Sequence, residues 1–296
     1  MALKDWLDKM ASAVGKKVST RGSDGEGLSI DDLITLERYD EALVRLKSKV
    51  SKNRSDYRSR IRLADLYLKT SRPGEAIEEY LSVADRYASE GFFDKGYALV
   101  AKLARMIPHE EKLEAKMSAI RRAKRLEHRR QVVVASLGTK AWAMEVRQHW
   151  GDLVRGPLVE LLSQDQLKKL FPLFEIQRLA EGEVLVERGD SKEMLFVILT
   201  GELAAQVQLA TGSDTDLRTF QGGDLIGDRA LLQRVPWPAT YRALIATKVL
   251  GLSREGLEKA LIGEEDPKGL LNALRMQGLD MVVVDSIGKL KAVQPS

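Results

Sequence analysis

The stretch EGEVLVERGDSKEMLFVILTGELAAQV, residues 181–207, decides how the second half of this chain folds. Short apolar runs alternate with Gly182, Gly189 and Gly201, and glycine accepts the positive φ that a tight reversal needs. Working outward, strands are expected at Glu175–Leu179, Val184–Val186, Leu195–Thr200, Leu203–Leu209, Thr219–Phe220, Thr240–Ala246 and Lys248–Ser253. Further breaks fall at Gly212, Gly222 and Gly223. This rhythm of short strands and glycine turns predicts a small β-barrel or jelly roll. Helices are expected to flank it at Leu158–Leu170 and Ser253–Leu261, the second capped by Ser253.

Upstream the period changes. Residues Tyr57–Leu68, Glu75–Ala88 and Phe92–Met106 read as helices, with stripes such as Ile61, Leu63, Ala64, Tyr67, Leu68 and Ala76, Ile77, Tyr80, Leu81, Ala84. Ser71–Gly74 and Ser89–Gly91 separate them. Glu41–Ala42–Leu43 recurs as Glu75–Ala76–Ile77, a spacing of 34. The small and aromatic positions Ala64, Tyr67, Ala76, Tyr80 and Ala84 resemble a tetratricopeptide repeat over about residues 37–117, with Arg60 and Ala64 departing from its opening pattern. A plain helical bundle is the competing reading. Arrays of helix pairs usually bind peptides or proteins.

Leu3, Trp6, Leu7, Met10, Ala11 and Val14 share one helical face, so residues 1–19 are expected to form an amphipathic helix that docks on protein or on an acidic membrane surface. A linker is expected over 20–35, repeats over 36–130, a basic or helical connector over 131–152, the barrel over 153–266, and a short helix (Lys268–Met276) with a tail over 267–296. The fold class is therefore multidomain α + β, an N-terminal α-helical array followed by a β-barrel or jelly roll with flanking helices.

Composition narrows the function. The chain has 296 residues and no cysteine, which removes disulfides, thiolate ligands and a cysteine nucleophile. It contains no apolar run long enough to span a membrane and no secretory signal pattern, so a cytoplasmic setting is expected, at most peripheral to the inner membrane. Only His109, His128 and His149 are present, at no tight metal-binding spacing, and no phosphate-binding loop occurs. Enzyme activity and a metal site are not expected. Residues 101–150 carry 12 Lys and Arg against 5 Asp and Glu, an excess concentrated in Arg121–Arg130. Such a run is ordinarily a solvated helix face; the alternative is contact with an acidic partner, nucleic acid or anionic lipid.

Residues 181–207, followed by FQGGDLIGDRALLQRVPWPATYRALIATKVLGLSREGLEKAL at 220–261, resemble a cyclic-nucleotide-binding domain. Gly182, Gly189, Phe196, Gly201 and Glu202 match its first half, and Gly223–Asp224 the turn before its phosphate cassette. The resemblance implies a cassette in which backbone amides and an arginine hold the cyclic phosphate while a glutamate accepts the ribose hydroxyl. On that basis the pocket positions are Ile226, Gly227, Asp228, Ala230, Leu231, Trp237, Ala239 and Thr240. Two depart from the pattern: Asp228 replaces the glutamate, and Trp237 replaces the arginine. Losing the partner of a buried phosphate charge costs about 2–5 kcal/mol. Arg229 and Arg234 are near enough to be weighed as substitutes, whereas Arg242 is expected to face away.

No cofactor is expected, cyclic nucleotide being the one ligand the resemblance offers. The expected function is a non-enzymatic adaptor or regulator, its repeats binding a protein and its barrel serving for interaction or dimerisation; the alternative is a nucleotide sensor. After the barrel there is room for one short helix rather than a DNA-reading helix-turn-helix, so DNA binding is disfavoured.

Overall fold

The computed structural model describes residues 28–208, 212 and 214–293. The amphipathic segment expected at 1–19 lies outside them. The chain divides into two compact units, residues 28–87 with 98–110, and residues 88–97 with 111–293.

The first unit is helical. Helices α1 (Ile30–Thr35), α2 (Tyr39–Lys52), α3 (Tyr57–Lys69), α4 (Pro73–Ser89) and α5 (Phe93–Met106) follow one another, α4 and α5 passing into the second unit. The predicted helices stand where periodicity placed them. The linker does not reach residue 35: Ser29 accepts a hydrogen bond from Asp32 N, Asp32 returns one, and this reciprocal cap starts α1, whose Leu33 is buried. Leu33, Ala42, Leu43, Leu46, Leu63, Leu66, Tyr67 and Ala76 form one core. Ala42 and Ala76, at the spacing noted above, are both fully buried, as small residues between closely packed helices should be. Tyr80 is buried with its hydroxyl on Asp65, and Lys102 Nζ lies 3.1 Å from that hydroxyl. Burial and the adjacent carboxylate push the Tyr80 hydroxyl well above its ordinary range.

The second unit begins its long run with α6 (Glu111–Leu137), then α7 (Ala143–Gln148), α8 (Trp150–Leu153), α9 (Leu158–Leu161) and α10 (Gln164–Leu170). Two expectations change here. The boundary expected at 130 falls at about 110, because α6 packs Val133 and Leu137 into the core of the barrel unit. The single helix expected over 158–170 is two, since Ser163 stops the first and caps the second with Gln166. The basic stretch is largely consumed within the unit. Arg129 donates to the Val159 and Leu162 carbonyls that α9 leaves free, Arg122 pairs with Glu160, Lys124 with Asp94, Arg130 with Glu127, and Arg121 reaches the Tyr97 hydroxyl.

Strands β1 (Glu175–Leu179), β2 (Val184–Val186), β3 (Met194–Thr200), β4 (Glu202–Gln208), β5 (Asp214–Gln221), β6 (Leu225–Ile226), β7 (Thr240–Ala243) and β8 (Thr247–Ser253) form two four-stranded antiparallel sheets, ordered β1-β8-β3-β6 and β2-β7-β4-β5. The run MLFVIL, closed by Thr200, is apolar because β3 is covered on both faces. Phe196 and Ile198 point between the sheets, while Leu195, Val197 and Leu199 pack against the helices. Strand β5 lies at an edge and buries only Phe220, which explains why its polar sequence revealed just Thr219–Phe220. Gly201, at φ 97°, turns β3 into β4.

Short helix α11 (Asp228–Gln233) follows β6, and α12 (Arg254–Leu261) follows β8, with Ser253 accepting from Gly256 N at 3.1 Å. Helix α13 (Pro267–Gln277) replaces the expected short helix almost residue for residue. The tail is not a tail. Helix α14 (Asp280–Val293) follows at once, and Val283 is fully buried against the barrel interior. Its sequence, DMVVVDSIGKLKAV, lacks the clear one-sided stripe that marks most surface helices, so periodicity did not flag it. Among the described residues no helix is long and apolar enough to cross a membrane.

Candidate functional site

The residues 225–240 run from the inner edge of one sheet to the start of β7 in the other. Leu225 and Ile226 pair with β3, and the chain then turns at Gly227 with φ 84°, a conformation that a side chain would strain. A Cβ there would also overlap the Met194 carbonyl and the Trp237 ring. Helix α11 starts immediately, without a local side-chain cap.

The predicted positions do not all converge. Ile226, Ala230, Trp237 and Ala239 join the cluster between the sheets, with Tyr241, Phe196 and Phe220. Leu231 does not: it packs outward with the helices, because one turn of α11 puts neighbouring positions on different faces. Thr240 accepts a hydrogen bond from Arg188 N at 3.1 Å. Asp228 is 4% exposed and its Oδ1 has no hydrogen-bond partner.

Trp237 is 1% exposed. Its indole Nε1 donates to the Lys192 carbonyl at 2.9 Å, and its backbone is tied to Asp190 O and Gly189 N. The ring stands edge-on to Tyr241 at 5.2 Å and lies 6.0 Å from Phe196. It is thus a core side chain of the barrel, fixed by packing on several sides. None of the candidate arginines takes up the role the resemblance gives to an arginine at the position of Trp237. Arg229 Nε lies 3.4 Å from Gln233, Arg234 is exposed beside Glu193 at 3.6 Å, and Arg242 bonds Gln206 and the Gly182 carbonyl. Tyr241 and Ala243 point inward on β7, so Arg242 faces away as alternation requires.

A group that sequence reasoning missed sits on the cassette. Asp280, the first residue of α14, is fully buried. Its Oδ1 accepts from Gly227 N at 3.0 Å and its Oδ2 from Arg229 N at 3.2 Å, with the Tyr241 hydroxyl 3.4 Å from Oδ1. The missing cap of α11 therefore comes from more than fifty residues downstream. Leu279 N donates to Leu225 O at 3.1 Å, and Gly278 forms a parallel bridge with Leu225 on the open edge of the sheet. Gly278 is needed there: a Cβ would overlap the Asp228 carboxyl. Burial, then the charge of Asp280, pushes the Asp228 carboxyl up to about 7. The same two causes raise the Tyr241 hydroxyl above its ordinary range. The only prior signal was an acidic residue after a glycine in GLDMVVV, and nothing local marks it as a cap for a distant helix.

Among the described residues no group of three or more His, Cys, Asp or Glu side chains is placed to hold a metal ion.

Residues 176–263 match the family described as "Cyclic nucleotide-binding domain". The chain is 27% identical over 105 residues to a cAMP-dependent protein kinase regulatory subunit of Emericella nidulans, covering 36% of this chain and 25% of the relative. It is 31% identical over 111 residues to cGMP-dependent protein kinase isozyme 1 of Drosophila melanogaster, covering 36% of this chain and 14% of that protein. The chain thus spans a quarter or less of the length of these two relatives. Among solved structures, a cyclic nucleotide-binding domain from Methylobacillus flagellatus is 16% identical with a TM-score of 0.41, covering 54% of this chain and 96% of that one.

Proposed function

We propose that this protein is a non-enzymatic regulatory adaptor whose barrel has exchanged nucleotide binding for a packed interior, and whose tetratricopeptide-like helices recruit a protein partner. Trp237 carries the reading. At the position where the resemblance implies a phosphate-binding arginine, a fully buried indole is bonded to Lys192 O and packed between Tyr241 and Phe196. A cyclic phosphate placed there would meet apolar surface in a medium of low dielectric, without a cation to offset its charge. Relatives named as regulatory subunits of protein kinases support a protein partner for the chain.

The second reading, a sensor of cyclic or other nucleotides, draws on the Gly227 and Arg229 amides, which still converge on an anionic group. Calorimetry of the full chain with cyclic adenosine and guanosine monophosphate separates the two. The adaptor reading expects no heat of binding at micromolar concentrations. Dissociation constants of about 10 μM or tighter, at roughly 7 kcal/mol of binding free energy, would overturn it.

A further inference from the structure

Asp280 and Asp228 place two carboxyl groups side by side in the wall of the barrel, both essentially withdrawn from water. Asp280 satisfies its oxygens on the Gly227 and Arg229 amides, but Asp228 keeps one oxygen unpartnered against the Gly278 backbone. We propose that α14 is a reversible plug, an internal occupant that seats its Asp280 carboxylate on the cassette amides and is held there most tightly while the Asp228–Asp280 pair keeps a proton.

The charges around the pair leave it no other way to be neutralised. Helix α11 offers its backbone amides and Arg229, whose side chain is turned toward Gln233. Strand β3, packed under α11, contains no titratable residue, and β7 contributes the Tyr241 hydroxyl. Lys268 and Arg275 of α13, Asp214, Asp216 and Arg218 of β5, and Asp285 and Lys289 of α14 itself make no ion pair with either carboxyl among the described residues. Two ionised carboxylates in such a site repel, whereas one proton lets the first donate to the second. The plug is also lightly anchored. Among the described side chains of α14, Val283 is the fully buried apolar one, Val284 and Ile287 are half-buried, as is Leu279 just before the helix, and Met281 and Val282 are exposed. A helix that meets the barrel through Val283 and a polar junction, with Met281 and Val282 left exposed, is a segment suited to open locally without unfolding the barrel.

The direction follows from the raised carboxyl. With α14 seated, Asp228 holds its proton up to about pH 7; released, it returns toward its ordinary value of 3.8. Seating therefore takes up a proton. It is strongest in acid and weakens about tenfold per pH unit from about 4 until about 7. This device goes beyond the adaptor reading and does not depend on whether a nucleotide binds.

The absence of cysteine makes the test direct. In the full chain, Val283→Cys puts a lone thiol on the inward face of α14, and Asp285→Cys puts one on the exposed face as a control for thiol ionisation. Maleimide modification of both is timed at about pH 5.5 and about pH 8.5. The ratio of the inner to the outer rate is expected to rise about 30-fold, and Asp228→Asn, which mimics the protonated carboxyl, to hold it at its acid value. Hydrogen exchange of the α14 amides in the unmodified chain, corrected for intrinsic rates, should lose protection over the same interval relative to α12. A ratio equal at both pH values, or one that still rises in Asp228→Asn, overturns the proposal. Unchanged α14 protection overturns it equally.

Discussion

Replacing Trp237 by alanine removes the largest fully buried side chain of the barrel. Aromatic-to-alanine changes in cores cost about 3–5 kcal/mol, through lost transfer energy and the cavity left behind. The lost indole bond to Lys192 O adds about 1 kcal/mol, since that carbonyl is part-buried. The edge-on contact with Tyr241 at 5.2 Å argues for the upper part of the range. About 5 kcal/mol is therefore expected. Native-state hydrogen exchange of the full chain measures it at the Ala243 and Leu244 amides, which tie the end of β7 to Glu183 O and Glu202 O and report on the barrel without requiring it to be isolated. Their exchange should accelerate by nearly four decades, at about 1.36 kcal/mol per decade. Trp237→Phe, which keeps a ring between Phe196 and Tyr241 but loses the bond to Lys192, should cost about 1–2 kcal/mol. If the alanine variant exchanges within tenfold of the wild type, Trp237 does not organise the interior. The argument from its bulk against a bound phosphate then fails with it.

Two further changes probe the frame around the site. Gly227→Ala forces a Cβ onto a residue at φ 84° and against the Met194 carbonyl and Trp237 ring, so denaturant unfolding should show a loss of about 2–3 kcal/mol, while Gly74→Ala, with open space around it in α4, should be neutral or slightly stabilising. Glu145→Gln breaks the pairing of α7 with Lys248 (2.8 Å) and Arg178, a cost of about 1 kcal/mol at neutral pH. The hydrogen bond from Lys248, aided by Arg178, holds the Glu145 carboxyl below its ordinary range. Its contribution is therefore complete above about pH 4.5 and is lost as the pH falls through the lowered value; stability curves of wild type and variant should converge in acid.

Much of the barrel was legible because its signals are local. A six-residue apolar run closed by Thr200 and Gly201 reads as a central strand buried on both faces, and β3 is that strand. Ser253 capped a helix because the N-terminal turn of any helix has free amides, and the residue that satisfies them lies three positions away. The division of 158–170 into two helices was legible in principle, through Ser163 and Gln166, but the apolar stripe on both sides hid the cap. The two-residue strand β6 carried no pattern at all; its pairing with β3 makes it a strand.

The site separates the two kinds of information more sharply. That Trp237 stands where the resemblance implies an arginine follows from the sequence alone, because a change of residue type at a marked position needs no coordinates. That its ring is inside, that Arg242 faces out and that Leu231 leaves the interior depend on alternation and helix phase, which short-range pattern partly predicts. Asp280 is different. Nothing within the fifty residues between it and Gly227 specifies that a carboxylate will end on those amides. A hydrogen bond across that separation is set by where β6, α13 and α14 come to rest, and by a glycine at 278 small enough to let the helix approach Asp228. Sequence determined the architecture and the tryptophan at the position where the resemblance implies an arginine, since both are written in residue types and their spacing. Only the tertiary structure decided what occupies the cassette instead, because that contact exists only between distant segments brought together by packing.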